Sequence, residues 1–175
     1  YRGPGGGPPL TPVTQCYETW RVYINVTIIN EGDFAESFNV TAYCNETAIG
    51  MQGVTDLAPR ANITLTFIWN KPKYIHVWPY PVYYISAEAS VVEGETDTAD
   101  NSMINGSVKV KQWGDATGDG RVNIYDLTKL ALSYKKAKTD IWYNPQCDYS
   151  GDGNVDFNDL TKLALYWKKG PLDPI

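Results

Sequence analysis

Two acidic stretches near the carboxyl end hold the residues best equipped for chemistry. They read "DATGDGRVNIYDLTKLALSYKK" (Asp115 to Lys136) and "DYSGDGNVDFNDLTKLALYWKK" (Asp148 to Lys169), and they match at most positions with an offset of 33 residues. Calcium takes about six to eight hard oxygens, and a short loop supplies them when ligands recur at alternate positions around a sharp turn. Asp115, Thr117 and Asp119 fit the first three ligand positions, and Gly120 permits the turn. Arg121 then offers its carbonyl, Asn123 binds directly or through water, and Asp126 closes the shell. Asp148, Ser150, Asp152, Asn154, Asp156 and Asp159, with Gly153 at the turn, repeat the set. The expected cofactor is therefore Ca2+, two ions, one per loop.

Each closing acid opens a segment "DLTKLAL", in which Leu127, Leu130 and Ala131, and again Leu160, Leu163 and Ala164, recur at helical spacing. A carboxylate there also suits the positive end of a helix. One loop and one helix carry too little apolar surface for a core. The duplication thus predicts two helices that bury their apolar faces against each other.

The remaining chemistry is sparse. His76 is the only histidine, and it sits in "KYIHVWPYPVYY" without a nucleophile frame around it. Glu93, Glu95, Asp97 and Asp100 read as solvated turn residues rather than a glycosidase pair. No phosphate-cradling Gly loop, zinc spacing or dinucleotide fingerprint occurs. No catalytic residue is assigned, and the chain is expected not to be an enzyme.

The residues ahead of the acidic loops alternate. Val22, Ile24, Val26 and Ile28 point one way and Tyr23, Asn25 and Thr27 the other. Phe38, Val40, Ala42 and Cys44 follow after the turn "NEGD", and then Ile63, Leu65, Phe67 and Trp69 after "LAPR". Further strands are expected at 83–91 and 105–111. Short antiparallel strands between frequent turns predict a β-sandwich. Asn-x-Ser/Thr acceptor sites stand at Asn25, Asn39, Asn45, Asn62 and Asn105, all before Lys111. The first four fall on outward positions, where a glycan would face water, so an extracellular or cell-surface glycoprotein is expected.

With a net charge of −5, the chain repels a phosphate backbone, so nucleic acid is excluded as a partner. No apolar run approaches the roughly 20 residues of a membrane helix, so no membrane span is expected. The chain opens at Tyr1 without a leader and reads as a processed or cut product. Three cysteines cannot all pair within one chain; one disulfide and a spare thiol is the simplest count. Cys44 lies on the inward parity of its strand, whereas Cys16 and Cys147 fall in irregular segments, and the pairing stays open.

"INVTIINEGD", the L-x-P turn before "ITLTFIW" and "YYISAEASVVEGETDTADN" resemble the immunoglobulin-like CARDB modules of prokaryotic surface proteins over about residues 20–111. That likeness implies a non-catalytic spacer or adhesion unit. CARDB modules usually begin with a hydrophobic strand, for which "GPGGGPPLTPVTQCYETW" is a poor candidate; an absent or donated strand would leave an open edge. The acidic pair, over residues 114–169, resembles a type I dockerin, the calcium-dependent docking domain of cellulosomal and other extracellular proteins. Thr117 and Ser150 depart from its usual Asn or Asp, weakening those ligands without removing an oxygen.

In dockerins the two positions before the closing Asp carry much of the partner specificity and are often small and polar. Here they are Ile124 and Tyr125, then Phe157 and Asn158, and with Trp113 and Trp167 they form the predicted partner face. The partner is either further copies of this chain, in a head-to-tail homopolymer, or a cohesin-like receptor. The fold expectation is an all-β immunoglobulin-like sandwich plus a small all-α dockerin-like module with two calcium loop-helix repeats, from a prokaryotic and in particular archaeal extracellular protein. Its divisions are a Gly/Pro-rich segment or strap at 1–19, the sandwich at 20–112, the calcium module at 113–170 and a tail at 171–175. The alternative function is the dockerin-bearing C-terminal part of a larger surface enzyme docked on a cohesin scaffold.

Overall fold

The alternating segments form strands. In the computed structural model, which describes residues 14–17, 20–70, 72 and 79–168 apart from the side chain of Asn105, β1 is Gln15–Tyr17, β2 Arg21–Ile29 and β3 Glu36–Cys44. β4 is Thr47–Leu57, β5 Asn62–Asn70, β6 Val82–Ala89 and β7 Ser102–Lys111. Helices α1 (Ile124–Ser133) and α2 (Phe157–Leu165) follow, and between them lie two short strands, β8 (Lys136–Ala137) and β9 (Asn154–Val155). Residues 1–13, 18 and 19 of the strap expected at 1–19, the segment around His76 and the tail at 171–175 lie outside the described residues.

The larger sheet runs in the order β1-β7-β6-β3-β4, and β2 pairs with β5 in a second sheet. β3 is antiparallel to both β4 and β6, with Val40 opposite Gln52 on one side and Ala89 on the other. Inward parity is as the alternation predicts at Val40, Ala42, Leu65 and Phe67, which with Val54 and Leu57 make a core against which Ile24, Val26, Ile28, Phe38 and Ile63 pack. The turn after β2 is fixed by Asn30, which is buried; its Nδ2 donates to the carbonyls of Phe34 and Leu57, both at 2.8 Å, and its Oδ1 accepts from Gly32 at 2.9 Å.

Two compact units result. One gathers Tyr1–Val22, Asn70–Val82 and Val108–Ile175, and the other Tyr23–Trp69 and Tyr83–Ser107. This grouping differs from the linear division after residue 112, because β1, Tyr80 and the end of β7 fall in the same unit as the acidic repeats.

The structure differs from the sequence reading at four places. A first strand exists: β1 pairs parallel with β7, Gln15 opposite Lys109 and Tyr17 opposite Lys111, so this edge of β7 is covered and Cys16 is a buried strand residue. Three residues are too few for alternation to register. β4 was not foreseen, since Gly50 and Gly53 interrupt its pattern. The acidic module is not all-α, because β8 and β9 pair antiparallel, Lys136 with Val155. Finally, Ala131 and Ala164 are exposed, and only Leu130 and Leu163 of the predicted helix stripe are fully buried.

Candidate metal centre

The local fold of each acidic loop follows from one carboxylate collecting backbone donors. Asp115 is wholly buried; its Oδ1 accepts the amides of Gly118 at 2.6 Å and Asp119 at 3.2 Å, and its Oδ2 accepts the Gly120 amide at 2.8 Å. Asp148 does the same, with Gly151 at 2.7 Å and Asp152 at 3.2 Å on Oδ1 and Gly153 at 2.8 Å on Oδ2. Such tight wrapping requires left-handed backbone at Gly120 (φ 86°) and Gly153 (φ 92°), where a Cβ would be strained.

The closing acids serve the loop and the helix together. Asp126 Oδ1 accepts both the amide and the hydroxyl of Thr117, each at 2.9 Å, and Oδ2 accepts the Asn123 amide at 2.9 Å. Asn123 in turn caps α1 through the Tyr125 amide at 2.8 Å, completing a capping box. Asp159 repeats this with the Ser150 amide at 2.9 Å and the Asp156 amide at 2.8 Å, and Asp156 caps α2 through Asn158 at 2.8 Å.

The two repeats also hold each other. Lys135 follows α1 at φ 59° and its amide donates to the Val155 carbonyl at 2.7 Å; Lys168 follows α2 at φ 60° and donates to the Val122 carbonyl, also at 2.7 Å. Both pairs are 33 residues apart in sequence, so the interlock is reciprocal. Val122 and Val155 are fully buried.

These residues fit a hard divalent cation. In the first loop the Thr117 hydroxyl lies 3.0 Å from Asp115 Oδ1 and 2.9 Å from Asp126 Oδ1. One hydroxyl proton thus faces two carboxylate oxygens and can serve only one of them at a time. Ser150 similarly lies 3.1 Å from Asp148 Oδ1 while its amide reaches Asp159 Oδ1. Every donor is oxygen, as calcium or magnesium requires. Burial pushes the Asp126 carboxyl above its ordinary range, and the nearby Asp115 charge adds to the effect. Burial raises Asp159 likewise, with Asp148 and Asp152 contributing. A bound cation reverses that penalty by favouring the ionised forms.

Two predicted ligands are engaged elsewhere. Asp119 and Asp152 are exposed, and Oδ1 of each accepts the amide two residues on, from Arg121 at 2.9 Å and Asn154 at 2.8 Å. Among the described residues, no three of His, Cys, Asp and Glu gather as a metal-binding group. What converges in each loop is a carboxylate pair with one hydroxyl residue.

Sequence reasoning missed the groups that hold the first aspartates. Tyr80 donates its hydroxyl to Asp115 Oδ2 and Tyr143 to Asp148 Oδ2, both at 2.7 Å. Lys111, buried at the end of β7, donates Nζ to the Asp115 carbonyl at 2.9 Å, and burial pushes its amine down to about 8 while Asp115 pulls it upward. No spacing rule points to these residues, since each reaches its partner through the fold.

On the predicted partner face, Ile124, Tyr125, Phe157 and Asn158 are all exposed. Trp113 is turned inward in part: the Lys162 amine sits 3.8 Å over its ring, and Tyr166 meets it edge-on at 6.0 Å. Trp167 is half-buried. Leu132 and Leu165, which the sequence reading did not single out, are 74% and 59% exposed at equivalent places in the two helices. Asn25, Asn39, Asn45 and Asn62 are exposed; the side chain of Asn105 lies outside the described residues. Cys44 and Cys147 are buried thiols, pushed up by burial to about 11 and about 12.

Comparison with known proteins places the first part of the chain. Among solved structures, a type II cohesin-dockerin domain from Bacteroides cellolosolvens is 36% identical, covering 35% of this chain and 92% of that one, with a TM-score of 0.30. The CARDB domain of a Pyrococcus furiosus protein, solved in complex with di-metal ions, is 23% identical over 56% of this chain and 80% of that one, with a TM-score of 0.46. A domain of a Methanosarcina acetivorans protein named for the cell surface is 18% identical over 57% and 84%, with a TM-score of 0.44. No curated protein matches. The CARDB sequence profile matches residues 10–105, more than half of the 175 residues, and the chain therefore belongs to the CARDB family.

Proposed function

We propose that this is a non-catalytic extracellular structural or adhesion protein, whose two acidic repeats form a dockerin-like module that binds two calcium ions and mediates protein-protein assembly. The observation that carries this reading is a duplicated exposed apolar face. Ile124 and Leu132 on α1, 58% and 74% exposed, recur as Phe157 and Leu165 on α2, 69% and 59% exposed. Large apolar side chains left in water on both copies of a repeat mark a surface meant to be covered. The buried carboxylate pairs explain why cation binding belongs with assembly. Capping boxes at Asp126 and Asp159 tie the same loops to the helices that carry the face.

The partner is a further copy of this chain, giving head-to-tail fibres, or a cohesin-like receptor that leaves the chain monomeric by itself. The exposed sequon asparagines and CARDB membership support an extracellular setting, and no described helix is long and apolar enough to cross a membrane. Size measurement by light scattering in calcium and in chelator tests the reading. Growth in calcium that is lost in chelator, and lost in an Ile124→Asp, Phe157→Asp variant, supports self-assembly. A monomer in both conditions that captures a cohesin only in calcium supports the receptor. A monomer that binds neither ion nor cohesin overturns the proposal.

A further inference from the structure

Both acidic loops are fastened by side chains from outside the repeats, and the fastening has the same chemical form twice. On Asp115, the Tyr80 hydroxyl holds Oδ2 at 2.7 Å and the Tyr17 hydroxyl donates to the backbone carbonyl at 3.1 Å. On Asp148, the Tyr143 hydroxyl holds Oδ2 at 2.7 Å and the Trp20 indole N–H donates to the backbone carbonyl at 3.1 Å. Tyr80 and Tyr143 are not related by the 33-residue repeat, nor are Tyr17 and Trp20. The duplication therefore did not copy this arrangement from one loop to the other.

The three rings near the first strand bridge the loops. Tyr17 meets Trp20 and Tyr149 edge-on, both at 5.3 Å, and the Tyr149 hydroxyl donates to the Gly114 carbonyl at 3.1 Å. Tyr17 and Tyr149 are fully buried and Trp20 is 1% exposed. Gly151 lies directly beneath Trp20; a Cβ there would come within 3.0 Å of the indole Cδ1. The single Tyr17 hydroxyl proton is shared between the Asp115 carbonyl and the Gln146 carbonyl, 2.9 Å away and just ahead of the second loop. All of these residues belong to one compact unit.

We propose that Tyr17, Trp20 and Tyr80 are positioning residues for the two cation sites, so that seating of the first strand and calcium binding by the loops are coupled. This rests on the reading of the loops as calcium sites. Asp115 offers its carbonyl to Tyr17 on the strand, and Asp148 to Trp20 just past its end, at the right place only when each loop is wrapped, and wrapping is what the cation favours. Coupling of this kind is reciprocal: the ion tightens the strand, and the strand tightens the ion. Each hydrogen bond removed should weaken calcium about fivefold, the equivalent of a net contribution near 1 kcal/mol.

The test uses the full chain. Calcium chloride is titrated by calorimetry into wild type, Tyr17→Phe, Tyr80→Phe, Trp20→Phe and the exposed control Tyr84→Phe, with tryptophan emission followed in parallel. The expected result is two ions bound in each, an affinity several-fold weaker in Tyr17→Phe, Tyr80→Phe and Trp20→Phe but unchanged in the control, and a calcium-induced emission change that shrinks in Trp20→Phe. Tyr17→Phe removes one oxygen from the strand itself and keeps the ring, so it tests the coupling even if Trp20→Phe does not fold. Wild type that binds two ions, with variants within twofold of it, overturns the coupling while leaving the calcium sites standing. Wild type that binds no calcium overturns both.

Discussion

Replacing Asp126 by Asn separates the structural duty of one carboxylate from the cation-binding duty proposed for it. This group accepts three hydrogen bonds, two from Thr117 and one from Asn123. An amide keeps one oxygen for Thr117 but turns an NH2 toward the Asn123 amide, so one charge-assisted bond is lost, at about 1.5 to 3 kcal/mol. Burial opposes the ionised form, and losing that charge offsets part of the cost. The net in chelator should be about 1 kcal/mol. In calcium the variant also loses a principal ligand, and with it most of RT ln(1 + [Ca]/Kd), about 4 kcal/mol at a thousandfold excess over Kd. Urea unfolding followed at 222 nm, in chelator and in millimolar calcium, should therefore show a destabilisation about 3 kcal/mol larger in calcium. Equal destabilisation in the two conditions would refute the assignment of Asp126 as a ligand.

Leu163→Ala, at a fully buried site, should cost about 2 to 5 kcal/mol by urea unfolding in calcium; a cost below about 1 kcal/mol would show that the two repeats do not share a core. Lys111 should give the metal-free protein a rising stability from about pH 8. Its folded pKa lies below the unfolded value, so the unfolded chain binds the extra proton between them and stability grows with pH through that window, by about 1 to 2 kcal/mol up to pH 10. Lys111→Met should flatten that slope, whereas ionising Tyr17 and Tyr149, both raised by burial, work against folding only at higher pH. Protein isolated from its native source should carry glycan at one or more of Asn25, Asn39, Asn45 and Asn62, read by mass spectrometry of glycopeptides; bare peptides at all four would remove the glycoprotein reading.

Much of the sandwich core was legible because strand parity has a period of two and does not depend on partners. Val40, Ala42, Leu65 and Phe67 could be placed inside from their neighbours alone. The two helices were legible from their spacing, although they begin at Ile124 and Phe157, so each closing acid sits inside the first turn rather than opening it. β1 was not legible, since Gln15–Tyr17 is held by pairing with residues almost a hundred positions away and by the burial of Tyr17. Ala131 and Ala164 were misplaced for a related reason. Helical spacing identifies one stripe, but which edge of it turns inward depends on what covers it. Here Gly114 leaves room for Val122, whose Cγ1 would stand 2.9 Å from any added Cβ, so the loops crowd one side of the helices. The phenols on Asp115 and Asp148 carry no local signal at all.

The exchanged amides of Lys135 and Lys168 make each repeat depend on the other. Each copy, just past its helix, rests an amide on a carbonyl that its twin provides. A single repeat expressed by itself can meet that carbonyl only on a second molecule, so either half of the pair should associate two by two.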